Sequence, residues 1–164
     1  MKYVLIVIVF CACVMVGYII SNRFSRRKKF FTSLIAFADK ISVEINFSRE
    51  RLKILIENFD TSNKNNLLGI EKRFLDYLDK KCELTNEEIF QKNDLLKPEE
   101  KDLILLFLKT LGRSDVENQT KEINSFVSRF NEIKSVCDVE HKKYGSLSMK
   151  LGVIAGLFCA IIMF

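Results

Sequence analysis

The sequence predicts an all-α protein: an antiparallel helical bundle anchored by an N-terminal and a C-terminal transmembrane helix. Three observations lead there. Both ends are apolar and almost free of charge, the middle carries apolar residues at helical spacing, and no stretch alternates in the manner of a strand. With one proline and six glycines in 164 residues, few breaks interrupt the helices.

Charge divides the chain more sharply than composition does. All 21 acidic residues lie between Asp39 and Glu140. Residues 30–140 hold 17 lysines and arginines against those 21 acids, a net of −4. The other nine basic residues flank the apolar ends: Lys2, Arg23, Arg26, Arg27, Lys28, Lys29, Lys142, Lys143 and Lys150. A nucleic-acid binder needs positive charge on its folded surface, and here the folded part is mildly acidic. Nucleic acid is therefore excluded as a partner.

The first element is the run Tyr3–Asn22, 20 residues without a charge. At about 1.5 Å per residue it spans roughly 30 Å, the thickness of a bilayer core. Tyr18–Asn22 offers no small-residue cleavage pattern, so a retained anchor is expected in place of a cleaved signal. The basic run that follows acts as a stop-transfer flank. At the other end Leu151–Phe164 covers only about 21 Å, and adding Gly145–Lys150 brings it to a crossing length with Lys150 reaching back to the headgroups. The expected division is residues 1–22 in the membrane, 23–146 in the cytosol and 147–164 in the membrane. Basic residues gather after the first span and before the second, which places both termini across the membrane. Arg26, Arg27, Lys28 and Lys29 serve that topology, or recruit anionic lipid. Gly152 and Gly156 form a G-x-x-x-G step, and Cys13 and Gly17 a similar one. Such steps let helix backbones approach in lipid, either between the two ends or between copies of the chain in a homo-oligomer.

Between the ends, Phe31, Leu34, Ile35, Ala38, Ile41 and Ile45 form one stripe of a helix continuing out of the first span. Ser48 caps a second helix bearing Leu52, Leu55, Ile56 and Phe59, and Asp60–Asn66 is a polar loop. Leu67–Lys81 follows, with Ile70, Phe74 and Leu78 on one face. A short helix over Thr85–Lys92 is capped by Thr85 or Asn86. Pro98, Glu99 and Glu100 start the next helix, whose Leu103–Leu108 stretch is apolar nearly all round and reads as the buried centre. Gly112 ends it as a left-handed cap, and Ser114 with Glu117 forms a capping box for the last helix. That helix presents Ile123, Phe126, Val127, Phe130, Ile133, Cys137 and Tyr144.

Catalytic equipment is missing from this pattern. The five cysteines lack the short paired spacing of a metal site: Cys11, Cys13 and Cys159 lie in apolar runs, Cys82 and Cys137 stand alone. The single histidine, His141, is one helical turn from Cys137, a spacing that coincidence supplies as readily as a dyad. No glycine-rich phosphate loop is present, so no cofactor is expected. The most specific string is Leu111–Asp115 with Gln119 after it. Leu111, Gly112, Ser114, Asp115 and Gln119 read either as a tight turn or as a polar corner on which a partner docks.

This layout resembles the stage III sporulation protein AB family of endospore-forming bacteria. The resemblance covers essentially the whole chain and is carried by the L-G-x-S-D-x-x-x-Q corner (Leu111, Gly112, Ser114, Asp115, Gln119) and the L-G-x-x-x-G tail (Leu151, Gly152, Gly156). Glu44 and Ile45 add a weaker match. Relatives often carry a tryptophan near residues 86–92, where this chain has none and Ile89 or Phe90 takes the place. The family is similar to the F-type platform proteins of type II secretion and type IV pilus machines. The resemblance implies a non-enzymatic platform subunit of a channel between mother cell and forespore, in the mother-cell membrane. Its implied partners are a sporulation ATPase and other channel subunits. A general membrane adapter, binding anionic lipid or a cytosolic partner, is the competing class.

Overall fold

The computed structural model describes residues 2–43, 49–59, 66–90, 94–111 and 116–163. The fold is all-α, with no strand among the described residues. Its helices are α1 (Lys2–Val43), α2 (Arg49–Glu57), α3 (Ile70–Leu78), α4 (Asn86–Phe90), α5 (Pro98–Thr110), α6 (Val116–Glu140) and α7 (Ser146–Met163). A five-residue π turn, His141–Gly145, joins the last two. The chain forms two compact units, one made of Met1–Lys28 with Ser135–Phe164, the other of Lys29–Lys134.

The second unit is the bundle, and apolar periodicity builds it. In α1 the buried face is Phe30, Phe31, Leu34, Phe37, Ala38 and Ile41. Ile35, expected in that stripe, is half-buried. At 100° per residue it falls about 130° from the centre of a face running through 30, 34, 37 and 41, so Phe30 and Phe37 take its place. Ile45, Ser48 and the loop residues 60–65 lie outside the described residues. Phe37 meets Phe59 edge-to-face at 5.3 Å, beside buried Leu52, Leu55 and Ile56 of α2. Phe107 of α5 packs against both Phe126 and Phe130 of α6 at 5.5 Å. Such aromatic pairs add about 0.5–1.5 kcal/mol beyond the area they bury.

Two helices depart from the sequence expectation. The helix over Leu67–Lys81 is shorter at both ends, because Leu68 (φ 59°) and Gly69 (φ 77°) precede it in left-handed conformation and Lys80 (φ 57°) follows it. Lys80 N–H donates to the Tyr77 carbonyl and Lys81 N–H to the Asp76 carbonyl, both at 2.9 Å, which is a Schellman closure with lysine where glycine usually sits. In α5, Leu106 is 50% exposed, so the helix is not a buried centre; Ile104, Phe107 and Leu108 form a single inward face.

The predicted helix starts at Thr85 and Pro98 are present. Thr85 Oγ1 accepts the Glu88 N–H at 3.4 Å. Pro98 occupies the first turn of α5, where Glu100, itself buried, accepts the Lys97 N–H at 2.9 Å. Leu111 ends α5 in extended backbone (φ −61°, ψ 123°), while the predicted Gly112 cap and the Ser114 half of the capping box lie outside the described residues. Ile89 and Phe90 are both fully enclosed. Side chains bind the short elements together: Arg73 of α3 donates to the Ile89 carbonyl, and Asn86 donates to Asp102 of α5.

Lys53 of α2 pairs with Asp79 at 2.8 Å, and Lys81 lies 3.3 Å from the same carboxylate. The hydrogen bond from Lys53, then that from Lys81, holds the Asp79 carboxyl below its ordinary range; Asp79 in turn raises Lys53. A carboxyl that binds its proton less readily folded than unfolded adds stability above the ordinary carboxylate range, and loses it as pH falls through the folded value. The pair is exposed, so the effect is small. In acid titration of urea stability, the wild-type advantage over Asp79→Asn should therefore shrink to nothing at low pH. Replacing Lys80 by glycine relieves a left-handed β-carbon and should stabilise the bundle by about 0.5–1 kcal/mol, read as a higher urea midpoint.

Candidate functional site

The unit of Met1–Lys28 and Ser135–Phe164 is built on one helix contact. A β-carbon on Gly17 of α1 would lie 2.8 Å from the Ser148 carbonyl oxygen and 3.2 Å from the Gly152 Cα. One on Gly152 would lie 3.0 Å from the Cys13 carbonyl oxygen, and one on Gly156 2.8 Å from the Phe10 ring. At those separations only hydrogen fits, and the backbones approach as the small-residue steps allow. Further along, Phe24 stacks on Tyr144 with ring centroids 6.1 Å apart, Arg27 pairs with Glu140, and Lys28 pairs with Asp138 at 2.9 Å. Each step up α1 is matched by an equal step back on the other side. The pair is antiparallel, and its basic ends coincide.

Both partners carry a helix long and apolar enough to cross a membrane. Within their most apolar stretches only 6% and 11% of residues are buried. A core helix of a water-soluble protein would be mostly covered. Here Ile8, Val16, Ile19, Ile154, Phe158 and Ile161 all face outward, as they would toward lipid.

The structure divides the predicted flank. Arg26 and Lys29 are exposed, Arg27 is 8% exposed and salt-bridged, and Lys28 is half-buried against its acid. The sequence reading missed these pairings. Glu140 and Asp138, the last two acids in the chain, were the available signal once the ends were taken as antiparallel.

The π turn lies beside this contact. An extra residue in one turn shifts the phase of the following helix, so that Gly145, Gly152 and Gly156 face α1. Cys137 is enclosed, and His141 Nδ1 is buried without a hydrogen-bond partner. The Cys82 thiol is pushed up by burial, with Glu88 and Asp76 adding to the effect, away from the reactive thiolate range. No group of three metal-ligating side chains occurs among the described residues.

Of the corner residues, Leu111 and Gln119 are buried. Gly112, Ser114 and Asp115 lie outside the described residues.

Removing Glu140 takes a carboxylate from beside the buried Arg27 guanidinium, which costs about 2–4 kcal/mol where solvent access is partial. Glu140→Ala should lower the melting temperature of the full chain in detergent well below that of Arg26→Gln, whose side chain is exposed. Equal melting of the two variants would show that the ion pair contributes nothing.

Comparison with known proteins agrees with this layout. No curated protein and no solved structure matches the chain. The family model for stage III sporulation protein AB matches residues 2–164. With nearly its whole length matched, from the first apolar helix to the last, the chain belongs to the stage III sporulation protein AB family.

Proposed function

We propose that this chain is a non-enzymatic membrane platform subunit of a sporulation channel resembling a secretion system. In this reading it sits in the mother-cell membrane around the forespore. Its bundle faces the cytosol, and it docks an ATPase and other channel subunits. The observation that carries the reading is the antiparallel contact of α1 and α7, which brings Arg23–Lys29 and Lys142–Lys150 to the same end of the apolar pair. Positive flanks are retained on the cytosolic side, so the acidic bundle meets the compartment that holds ATP. Family membership supports a role in sporulation. A docking platform needs a folded surface and an anchor, and it leaves nucleotide chemistry to the motor.

The competing adapter reading uses Arg26–Lys29 to bind lipid. Two of those four already face acids within the chain, so only Arg26 and Lys29 stand out as exposed charge.

In a sporulating host, deletion of the chain should cut the yield of heat-resistant spores by orders of magnitude. A photo-crosslinker at Asp115 should capture the ATPase. Normal spore yield in a clean deletion would sink the platform reading. Labelling of a Glu83→Cys variant only from outside the cytosol would sink the orientation.

A further inference from the structure

An open cleft of about 530 Å³ lies beside the π turn, lined by Ser21, His141, Lys142, Gly145, Ser146, Met149 and Lys150. No acid lines it. Lys142 and Lys150 are exposed and make no salt bridge among the described residues, whereas Arg27 and Lys28 nearby are matched by Glu140 and Asp138. Lys143, between them in sequence, instead lies over the Tyr144 ring at 5.4 Å. The Ser21 and Ser146 hydroxyls add donors. His141 Nδ1, enclosed without a partner, leaves unused hydrogen-bonding capacity at the cleft wall.

We infer that this cleft binds the phosphate headgroup of an anionic phospholipid. Its chemistry fits a phosphodiester: two uncompensated ammonium groups, hydroxyl donors and an imidazole around a concavity of ligand size. Its place favours a lipid over a free ion. Ser21 lies at the end of the charge-free run of α1, one residue before Asn22, Lys150 precedes the apolar run of α7, and Met149 gives the cleft an apolar wall suited to a glycerol backbone. The π turn makes the site, because it sets His141, Lys142 and Gly145 around one opening. Gly145 keeps that opening clear: a β-carbon there would come within 3.0 Å of His141 Nδ1. The inference rests on the membrane-spanning part of the proposed function and is independent of the platform role.

The test is native mass spectrometry of the full-length chain in detergent, titrated with phosphatidylglycerol, phosphatidylcholine or inorganic phosphate. One phosphatidylglycerol should bind in preference to phosphatidylcholine. Lys142→Gln/Lys150→Gln should weaken that binding at least about tenfold, about 1.4 kcal/mol. The single variant Lys150→Gln should fall between, with melting temperatures in phosphatidylcholine confirming that each variant folds. Arg26→Gln/Lys29→Gln, which removes the same charge outside the cleft, should retain most of the binding. Equal losses in the two double variants, or no loss in the first, would overturn the site. Inorganic phosphate binding as tightly as the lipid would overturn the lipid assignment. Spore yield and crosslinking bear on the platform role alone, so either idea can fail without the other.

Discussion

Close backbone approach between α1 and α7 is the constraint on which this molecule depends. In water two helices are pressed together by the apolar area they hide. In lipid that force is absent, because the surroundings are as apolar as the side chains. Contact then has to come from dispersion between closely fitted backbones and from polar groups that find partners. Gly17, Gly152 and Gly156 provide the first, and Arg27–Glu140 with Lys28–Asp138 the second. The two kinds of contact also specify different things. Glycine steps permit approach but tolerate slippage by a turn, whereas a buried guanidinium paired with a carboxylate on the opposite helix favours one register.

The bundle of Lys29–Lys134 is stabilised differently. Its core holds enclosed phenylalanines at 30, 31, 74, 90, 107 and 130, and large rings lock short helices that would be marginal alone. α2, α3 and α4 each have fewer than ten residues, and side-chain bonds to neighbouring elements make up for their length. Arg73 to the Ile89 carbonyl and Asn86 to Asp102 are of that kind. The left-handed Lys80 shows a backbone conformation that the surrounding contacts impose against the preference of the residue.

The two units also differ in charge: residues 30–140 carry a net of −4, and the nine basic residues outside that stretch flank the apolar ends. On the proposed platform reading, the basic flank sets orientation and the bundle presents the surface that partners meet.

Much of this was legible in the sequence. Uncharged runs of about bilayer length announce membrane helices, because burying a charge in hydrocarbon is expensive wherever the fold places it. Periodicity announced the bundle, and Pro98 and Thr85 announced two helix starts, because those signals act within one turn of the chain. What the tertiary structure decided was long-range. It exposed Leu106 where a string of apolar residues suggested full burial, moved the α1 stripe from Ile35 to Phe37, and shortened α3 between left-handed residues. It also separated four adjacent cations into two that are matched by acids and two that face outward, and it set His141 and Lys142 around a cleft. Those outcomes depend on which helix lies opposite and at what phase. A sequence fixes the charge a residue carries, and the partner more than a hundred positions away fixes whether that charge is spent.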